Sequence, residues 1–323
     1  MESKVKKIGV LTSGGDAPGM NAAIRAVVRA ARSKGIEVVG VHRGYAGLIK
    51  GDIVDMDVRD VSNILQSGGT SLLSARSKEF CTEEGMQMAI DNCHKFGIEG
   101  LVVIGGDGSY RGAGDLSSRG IHCIGLPGTI DNDISSTDYT IGFDTCVNCV
   151  VDMVDRIRDT MRSHERCSVV EVMGRNAGYI ALHAGIATGA AFVMVPEVDS
   201  SVEDVIAKIE EGRALGKYNF IVIVAEGVGH AEELSKKIQD ATGVVTRATI
   251  LGHVQRGGSP TARDRVLASR FGAYAVDLLA AGKSNRVVGV RNDKLVDYDI
   301  QEALAMKKEF PMELYNMSDI ISI

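Results

Sequence analysis

The sequence has 323 residues, of which 45% are hydrophobic and 24% charged, and this length and composition predict a globular protein of two domains. Its formal net charge of −6 argues against non-specific nucleic-acid binding, so any cations that hold an anionic substrate must be clustered locally. No apolar run reaches the roughly 18 residues that a membrane span needs, and the N-terminus leads directly into a predicted strand. We therefore expect a cytoplasmic protein with neither a membrane nor a nucleic acid as partner.

Short apolar runs rich in β-branched residues alternate with amphipathic stretches along the chain. The strands predicted from these runs are Lys7–Leu11, Val38–Val41, Leu101–Ile104, Cys123–Leu126, Ser168–Val172, Phe192–Val195, Phe220–Ala225 and Arg286–Val290. They lack polar alternation, as expected of strands buried on both faces of a parallel sheet. Helices are predicted between them, for example over Ala22–Ser33 and Asp144–Met161. The alternation predicts a doubly wound α/β architecture with mostly parallel sheets.

The six cysteines show no disulfide framework, although Cys146 and Cys149 form a C-x-x-C motif. That motif can indicate redox or zinc chemistry. No second cysteine pair or histidine pair completes a zinc set, and both residues lie in an apolar helical run. We therefore expect two buried structural thiols.

Four predicted strands are followed by clusters of glycine and polar residues, which read TSGGDAPG, GGDGSY, PGTIDND and MGRNAG. Ligands of open α/β sheets bind at the carboxyl ends of the strands, so a site is expected at that edge. The loops around Gly14–Asp16 and Gly105–Ser109 each precede a helix, whose N-terminus attracts phosphate. Neither loop matches the Walker or the dinucleotide-binding pattern. One such loop is often a plain tight turn, but two together favour phosphate binding.

Two loops carry carboxylates that are candidates for chemistry. Asp107 lies inside a glycine loop, where it would repel a polyphosphate unless a cation such as Mg²⁺ lay between them; the alternative is a helix-capping role. Asp131 and Asp133 follow a buried strand together with Thr129. Asp131 is a candidate base toward a sugar hydroxyl, and Asp133 could orient a metal or its neighbours. Alone, the D-N-D triplet is often only turn chemistry.

Seven segments together resemble the signature blocks of the bacterial ATP-dependent 6-phosphofructokinases, and they occur in that family's order from Lys7 to about Lys307. The segments are LTSGGDAPGMNAAIR, GGTSLLSAR, VVIGGDGSY, GLPGTIDND, TIGFDT, VVEVMGR and LGHVQRGGSP. The resemblance implies transfer of the γ-phosphoryl group of Mg·ATP to the 1-hydroxyl of fructose 6-phosphate. The products would be ADP and fructose 1,6-bisphosphate, formed at the committed step of glycolysis.

The same resemblance implies two doubly wound α/β domains with the active site in the cleft between them. An ATP-binding domain would comprise residues 1–142 and 255–304, and a fructose 6-phosphate-binding domain residues 143–254 and 305–323. In the family, the residues matching Arg166 and Arg247 reach in from a neighbouring subunit. A homotetramer with active sites shared between subunits is therefore expected.

The resemblance also implies roles by position. Asp131 would act as the base beside Thr129, with Arg76 and Arg175 stabilising charge on the transferring phosphoryl group. The implied ATP contacts are Gly15, Arg76, Ser77, Gly106, Asp107, Gly108 and Ser109, with Asp107 also associated with Mg²⁺. The implied fructose 6-phosphate contacts are Thr129, Ile130, Asp131, Arg166, Met173, Gly174, Arg175, Glu226, Arg247, His253 and Arg256. Several arginines suit a dianionic phosphate, because each guanidinium is a fork of donors.

Gly108 and Gly128 favour ATP as the donor. The pyrophosphate-dependent relatives tend to carry Asp and Lys at these two positions, and an Asp would add bulk and negative charge where the rest of the donor must sit. Ser77 departs from the family pattern, which often has an aromatic residue there, so a packing contact to the nucleotide is missing.

The sequence predicts an effector site that has only some of its expected residues. Arg25 and Arg29 lie four residues apart on one helical face, which by spacing alone could equally be a solvated basic face. With Arg158, Gly189 and Lys217 they resemble the family's site for ADP and phosphoenolpyruvate. However, Ala191 replaces the metal-binding Glu of that site, Val58 replaces an Arg and Leu215 replaces a Lys. We expect weak or absent activation by ADP, while an anion still binds.

Three alternative functions compete with this hypothesis. The same fold could use pyrophosphate, which the two glycines disfavour. An NAD or lipid kinase could share the GGDG loop, but such kinases lack the PGTIDND, MGR and HVQRGG blocks together. A non-catalytic sensor subunit would be expected to have lost catalytic groups, which this sequence retains at Asp107, Thr129, Asp131 and Arg175.

Overall fold

The computed structural model describes residues 3–322, which form two compact units. The first unit contains the chain up to Ile130 together with Ile134–Thr145 and Arg256–Lys308, and the second contains Asp131–Asp133, Cys146–Gln255 and the chain from Glu309. Within the described residues, no helix has the length and apolar character needed to span a membrane.

The strands and helices alternate along most of the chain. The strands are β1 (Lys7–Thr12), β2 (Glu37–Val41), β3 (Ile53–Met56), β4 (Gly100–Gly105), β5 (His122–Pro127), β6 (Cys167–Val172), β7 (Phe192–Met194), β8 (Phe220–Ala225), β9 (Thr246–Ile250), β10 (Arg286–Arg291) and β11 (Lys294–Asp299). The α-helices are α1 (Met20–Ser33), α2 (Gly44–Lys50), α3 (Glu83–Lys95), α4 (Asp107–Ser118), α5 (Phe143–Arg162), α6 (Tyr179–Thr188), α7 (Val202–Ala214), α8 (Ala231–Thr242), α9 (Ala262–Ala280), α10 (Ile300–Ala305) and α11 (Met312–Ile320). Short 3₁₀ helices cover Glu79–Cys81 and Gly252–Arg256.

The first unit is built on a sheet with the strand order β11-β10-β5-β4-β1-β2-β3. Its inner strands are parallel, and the outer strands β3 and β11 are antiparallel to their neighbours. Strand β1 pairs with β2 on one side and with β4 on the other, so the chain order reverses direction beside it. Ligands of doubly wound sheets bind at such a switch point, where the loops after β1 and β4 diverge.

The second unit is built on a parallel sheet with the order β7-β8-β6-β9. Strand β8 is buried along its whole length, and β6 is buried except at Glu171. Apolar residues of these strands pack against α7 and α8 to form the core of the unit. Because β6 lies between β8 and β9, the loops that follow these three strands leave the same edge of the sheet side by side.

The predicted α/β class is confirmed, and each predicted strand is present with ends within one residue of the prediction. Three strands were missed: β3, β9 and β11. Their sequences IVDM, TRATI and KLVDYD interrupt apolar residues with polar ones, because each strand lies at the edge of a sheet and is only partly buried. The expectation of two buried thiols was wrong for Cys149, which is only half-buried, whereas Cys146 is buried; neither forms a disulfide.

Candidate active site

Three candidate loops of the first unit are connected by hydrogen bonds at the carboxyl edge of the sheet. The backbone N–H of Ser13, after β1, donates to the carbonyl of Ile104 at 2.9 Å. The hydroxyl of Ser109 donates to the carbonyl of Ser13 at 3.2 Å. The N–H of Gly128, after β5, donates to the carbonyl of Gly105 at 3.0 Å. The loops predicted to bind the phosphate donor and the loop that begins at Gly128 are therefore neighbours.

The glycines of the GGDGS loop have different surroundings. A Cβ atom added at Gly105 would lie 2.3 Å from Ser109 Oγ and 2.6 Å from the carbonyl oxygen of Ser13, so only glycine allows this approach. A Cβ atom at Gly108 would meet no atom within 4 Å. Gly108 is exposed in the first turn of α4. Gly105 is required by packing, whereas Gly108 leaves open space in front of a helix N-terminus.

Asp107 is the first residue of α4 and is half-buried. Burial raises the pKa of its carboxyl group above the ordinary value, and the Arg111 guanidinium acts in the opposite direction. No group of three or more metal-binding side chains occurs within residues 3–322. Mg²⁺ is commonly held by one or two carboxylates, with waters and substrate phosphates as the other ligands. A single carboxylate at the opening of the glycine loop fits a Mg²⁺ site that a bound polyphosphate completes.

The segment that carries Arg76 and Ser77 lies against the Gly14–Asp16 loop. Ser74 Oγ donates to the carbonyl of Gly14 at 2.6 Å. Arg76 is exposed, and the Ser77 hydroxyl accepts the N–H of Phe80 at 3.2 Å. A further cation joins this loop, because Arg256 donates to the carbonyl of Asp16 at 3.0 Å.

Asp131 is buried, with only 3% of its surface exposed. Its Oδ2 lies 3.8 Å from Nε of Arg175, which is itself more than half exposed. Thr129 is also buried, and its carbonyl accepts the hydroxyl of Thr140 at 2.6 Å. A buried carboxylate beside an exposed guanidinium provides both a proton acceptor and a cation.

The Met173–Arg175 loop has an unusual backbone that its neighbours hold in place. Gly174 has a φ of 133°, and an added Cβ atom would lie 2.4 Å from the carbonyl oxygen of Ala177. Arg175 has a φ of 54°, a conformation that is uncommon for a residue with a side chain. Glu226 Oε1 accepts the N–H groups of Gly174 at 3.2 Å and of Arg175 at 2.6 Å. Glu226 therefore fixes the backbone that presents Arg175 to Asp131.

Gln255 was not singled out by sequence reasoning, although it lies inside the LGHVQRGGSP block. Its side chain is fully buried. Its Oε1 accepts the N–H of Met173 at 3.1 Å, and its Nε2 donates to the carbonyl of Gly252 at 3.1 Å. The sequence feature that could have revealed Gln255 is its position, because it is an uncharged polar residue between His253 and Arg256, both of which are expected to face a phosphate.

Arg166 and Arg247 lie at the other end of the second sheet from Met173, Glu226 and His253. Arg166 immediately precedes β6, and Arg247 of β9 pairs in register with Ser168 near the start of β6. Met173 follows the other end of the same six-residue strand. At about 3.3 Å per residue, the strand separates the two groups by roughly 20 Å. One copy of the second unit therefore does not bring these two arginines to the other predicted sugar-phosphate residues.

The second unit brings Arg158, Gly189 and Lys217 into one region. The guanidinium of Arg158 contacts the carbonyl of Thr188, next to Gly189 at the end of α6. Lys217 Nζ donates to the carbonyl of Ser322 at 2.7 Å. Burial lowers the pKa of Lys217, and the charges of Arg158 and Lys208 lower it further. The other two predicted effector residues, Arg25 and Arg29, lie on α1 in the first unit.

Comparison with known proteins identifies the family. The family model described as Phosphofructokinase matches residues 7–279. The chain belongs to the phosphofructokinase family. A relative from Clostridium botulinum named ATP-dependent 6-phosphofructokinase is 57% identical over 318 residues, which cover 98% of this chain and 100% of the relative. A second, from C. botulinum strain Alaska E43 and of the same name, is 56% identical over 319 residues, again 98% of this chain and 100% of the relative.

Solved phosphofructokinase structures share the fold. The Saccharomyces cerevisiae phosphofructokinase is 37% identical with a TM-score of 0.89, and the match covers 98% of this chain and 48% of the yeast chain. The present chain therefore spans about half the length of the yeast phosphofructokinase chain. A pyrophosphate-dependent phosphofructokinase from Marinobacter aquaeolei is 23% identical with a TM-score of 0.85, over 96% of this chain and 86% of the other. At that identity the likeness shows the fold alone.

The different surroundings of Gly105 and Gly108 predict different costs of adding one methyl group. We expect Gly105→Ala to lower the free energy of unfolding by roughly 1–3 kcal/mol, because the added Cβ atom overpacks Ser109 and the Ser13 carbonyl. Urea denaturation followed by circular dichroism measures the difference. Gly108→Ala is the matched control, and its midpoint should equal or slightly exceed that of the wild type because the site is open. Equal losses in both variants would contradict this interpretation of the loop.

Proposed function

We propose that the chain transfers the γ-phosphoryl group of ATP to the 1-hydroxyl of fructose 6-phosphate, giving fructose 1,6-bisphosphate and ADP. The observation that carries the proposal is the pair formed by buried Asp131 and Arg175, whose Oδ2 and Nε atoms lie 3.8 Å apart. The pair lies on two of the sequence blocks through which the chain resembles bacterial 6-phosphofructokinases. Family membership and full-length relatives named ATP-dependent 6-phosphofructokinase support the same reaction.

Asp131 is proposed as the base of the reaction. Its carboxylate accepts the proton of the 1-hydroxyl while that oxygen bonds to the γ-phosphorus and the bond to the β,γ-bridging oxygen breaks. Arg175 and Arg76 stabilise the negative charge on the transferring group. Glu226 supports this step indirectly, because it accepts the two backbone N–H groups that orient Arg175. No covalent intermediate with the protein is needed, since positioning and charge neutralisation suffice for phosphoryl transfer.

The first unit is proposed to bind ATP. The loops around Gly15 and Gly106 present backbone N–H groups, and the N-terminus of α4 adds its positive dipole end. Bound at Asp107, Mg²⁺ would neutralise charge on the β- and γ-phosphates. Space at Gly108 leaves room for the remainder of the nucleotide. At Gly128, an added Cβ atom would lie 2.9 Å from Ile104 Cγ2 and 3.2 Å from Met20 Cε, so the Lys typical of pyrophosphate-dependent relatives does not fit without a shift.

The second unit is proposed to bind fructose 6-phosphate through Met173, Gly174, Glu226 and His253. Arg256, which was also expected to contact the 6-phosphate, belongs to the first unit, where it donates to the carbonyl of Asp16. Arg166 and Arg247 complete the pocket from a second copy of the chain, because the length of β6 keeps them from the first copy's pocket. Such sharing requires an oligomer with closed symmetry. We propose the homotetramer that the resemblance implies.

The reaction predicts a strict donor requirement. Purified protein should phosphorylate fructose 6-phosphate with ATP in the presence of Mg²⁺, and should show no turnover with pyrophosphate or after chelation of the metal. A coupled assay for fructose 1,6-bisphosphate measures turnover with each of the two donors, with and without Mg²⁺. Turnover with pyrophosphate would contradict the argument from Gly108 and Gly128, and absence of turnover with either donor would contradict the proposed function.

Asp131→Asn is the control for that assay. Replacing the carboxylate by an amide keeps the size of the side chain and removes the base, so kcat should fall roughly 10²- to 10⁴-fold. Binding of fructose 6-phosphate, followed by calorimetry, should persist. An unchanged kcat would remove Asp131 from the mechanism.

The sharing of Arg247 between copies predicts complementation between two variants that are each nearly inactive when fructose 6-phosphate is far below the KM of Arg247→Ala. Arg247→Ala should raise the KM for fructose 6-phosphate, and Asp131→Asn should lower kcat. When the subunits of the two variants are mixed and allowed to exchange, sites with an intact Asp131 from one copy and an intact Arg247 from another should restore roughly a quarter of wild-type activity by random pairing. If Arg247 acted within its own chain, the mixture would show only the summed activity of the two parents.

The incomplete effector site predicts that Mg·ADP does not activate the enzyme appreciably. Position 191 carries a buried Ala instead of a carboxylate, and the exposed side chains of Val58 and Leu215 carry no charge. Fructose 6-phosphate saturation curves with and without Mg·ADP should therefore nearly coincide, since coupling of 1–3 kcal/mol depends on such contacts. A several-fold shift of the curve to lower concentrations would contradict this prediction.

A further inference from the structure

The backbone of the Met173–Arg175 loop is held from both sides by side chains of neighbouring strand ends. Glu226, which directly follows β8, accepts the N–H groups of Gly174 and Arg175. Gln255, in the turn that follows β9, accepts the N–H of Met173 at 3.1 Å. Strand β6 lies between β8 and β9 in the sheet, so the loop that follows β6 is hydrogen-bonded by residues that follow each of its two neighbours. Three successive backbone donors thus have side-chain acceptors.

Gln255 differs from the rest of its turn. It is fully buried, whereas His253 and Val254 are exposed. Both ends of its amide are used, since Oε1 accepts from Met173 and Nε2 donates to the carbonyl of Gly252 at 3.1 Å. The Cys146 thiol also lies 3.9 Å from the same Oε1. One uncharged side chain therefore connects the turn that carries His253 to the loop that carries Met173.

We propose that Gln255 is a positioning residue for sugar-phosphate binding: it holds the His253 turn at a fixed separation from the Met173–Arg175 loop. This role rests on the proposed function, because both segments belong to the proposed fructose 6-phosphate pocket. Gln255 itself is buried beneath the turn and acts through its neighbours. A displacement of about 1 Å in such a pocket can lower the catalytic rate by a factor of about 10². Gln255 can therefore affect the reaction although it does not line the pocket.

The neutral amide suits this position better than a carboxylate. A Glu side chain at position 255 could accept from Met173, but its second oxygen would face the carbonyl of Gly252 without a proton to donate. Two acceptors facing each other in a buried site repel each other. A protonated carboxyl group would restore the donor. Burial raises the pKa of a carboxyl group, so this restoration falls in an experimentally accessible pH range.

The test compares steady-state kinetics of the purified full-length protein with those of Gln255→Met and Gln255→Glu. Gln255→Met keeps the length of the side chain and removes both hydrogen bonds. We expect its KM for fructose 6-phosphate to rise roughly 10- to 100-fold, while the KM for ATP is unchanged. Gln255→Glu should show the same rise at pH 8 and return toward the wild-type KM as the pH is lowered. Unchanged KM values in Gln255→Met would overturn the proposal.

Asn92→Leu is the matched control. The side-chain amide of Asn92 donates to the carbonyls of Leu48 and Ile49 at 2.9 and 2.8 Å, in a part of the first unit to which no fructose 6-phosphate contact is assigned. Its replacement removes two hydrogen bonds between a side-chain amide and the backbone, so it should lower the denaturation midpoint without raising the KM for fructose 6-phosphate. An equal rise of that KM in Asn92→Leu would show that loss of stability is sufficient, and would overturn a specific role for Gln255.

Amide hydrogen exchange separates this proposal from the proposed function. In Gln255→Met, exchange at Met173 should accelerate, while Gly174 and Arg175, which Glu226 holds, should stay protected. Unaltered exchange at Met173 would show that Gln255 does not hold this loop, and would overturn the proposal. Wild-type protein without fructose 6-phosphate turnover would instead overturn the function, and with it the positioning role, whatever the exchange shows. If Gln255→Met fails to fold, the pH dependence of KM in Gln255→Glu decides the question.

Discussion

The loops after β1, β5 and β6 are positioned by acceptors for backbone N–H groups just beyond the ends of parallel strands. Pairing within a sheet stops at those ends, so the N–H groups there need other acceptors. In the first unit the carbonyls of adjacent strands accept them, as Ile104 does for Ser13 and Gly105 for Gly128. In the second unit, side chains accept the N–H groups of Met173–Arg175. The position of each loop follows from these hydrogen bonds.

The two solutions have different chemical consequences. Main-chain acceptors require no side chain at the glycines of the first unit, which suits close contact with a polyphosphate. Side-chain acceptors in the second unit make loop geometry dependent on individual residues, here Glu226 and Gln255. The uncommon φ of Arg175 is tolerated because Glu226 fixes the backbone on which it lies. A single substitution at such an acceptor can therefore move a pocket that it does not line.

Much of the fold could be predicted from sequence, because a strand buried on both faces reads as an apolar run whatever its partners are. The edge strands β3, β9 and β11 were missed for the same reason, since partial burial admits residues such as Asp55 and Arg247. For the site, the sequence blocks predict which loops bind the ligands, and the resemblance implies that Arg166 and Arg247 act in a neighbouring subunit's pocket. The physical reason, a strand that keeps these arginines away from Met173, depends on strand pairing and cannot be derived from the sequence. Nor could the sequence blocks distinguish buried Gln255 from its exposed neighbours.

Gly105 and Gly108 differ in what would preserve them through evolution. Any side chain at position 105 meets Ser109 and the Ser13 carbonyl, so selection for folding alone is enough to keep a glycine there. Position 108 is open, because an added Cβ atom there meets no atom within 4 Å. Under the proposed function, it is the phosphoryl donor in front of α4 that requires a glycine at this position. In the proposed donor site, a substitution at position 108 therefore changes what the donor meets without disturbing the core, whereas a side chain at position 128 meets Ile104 and Met20.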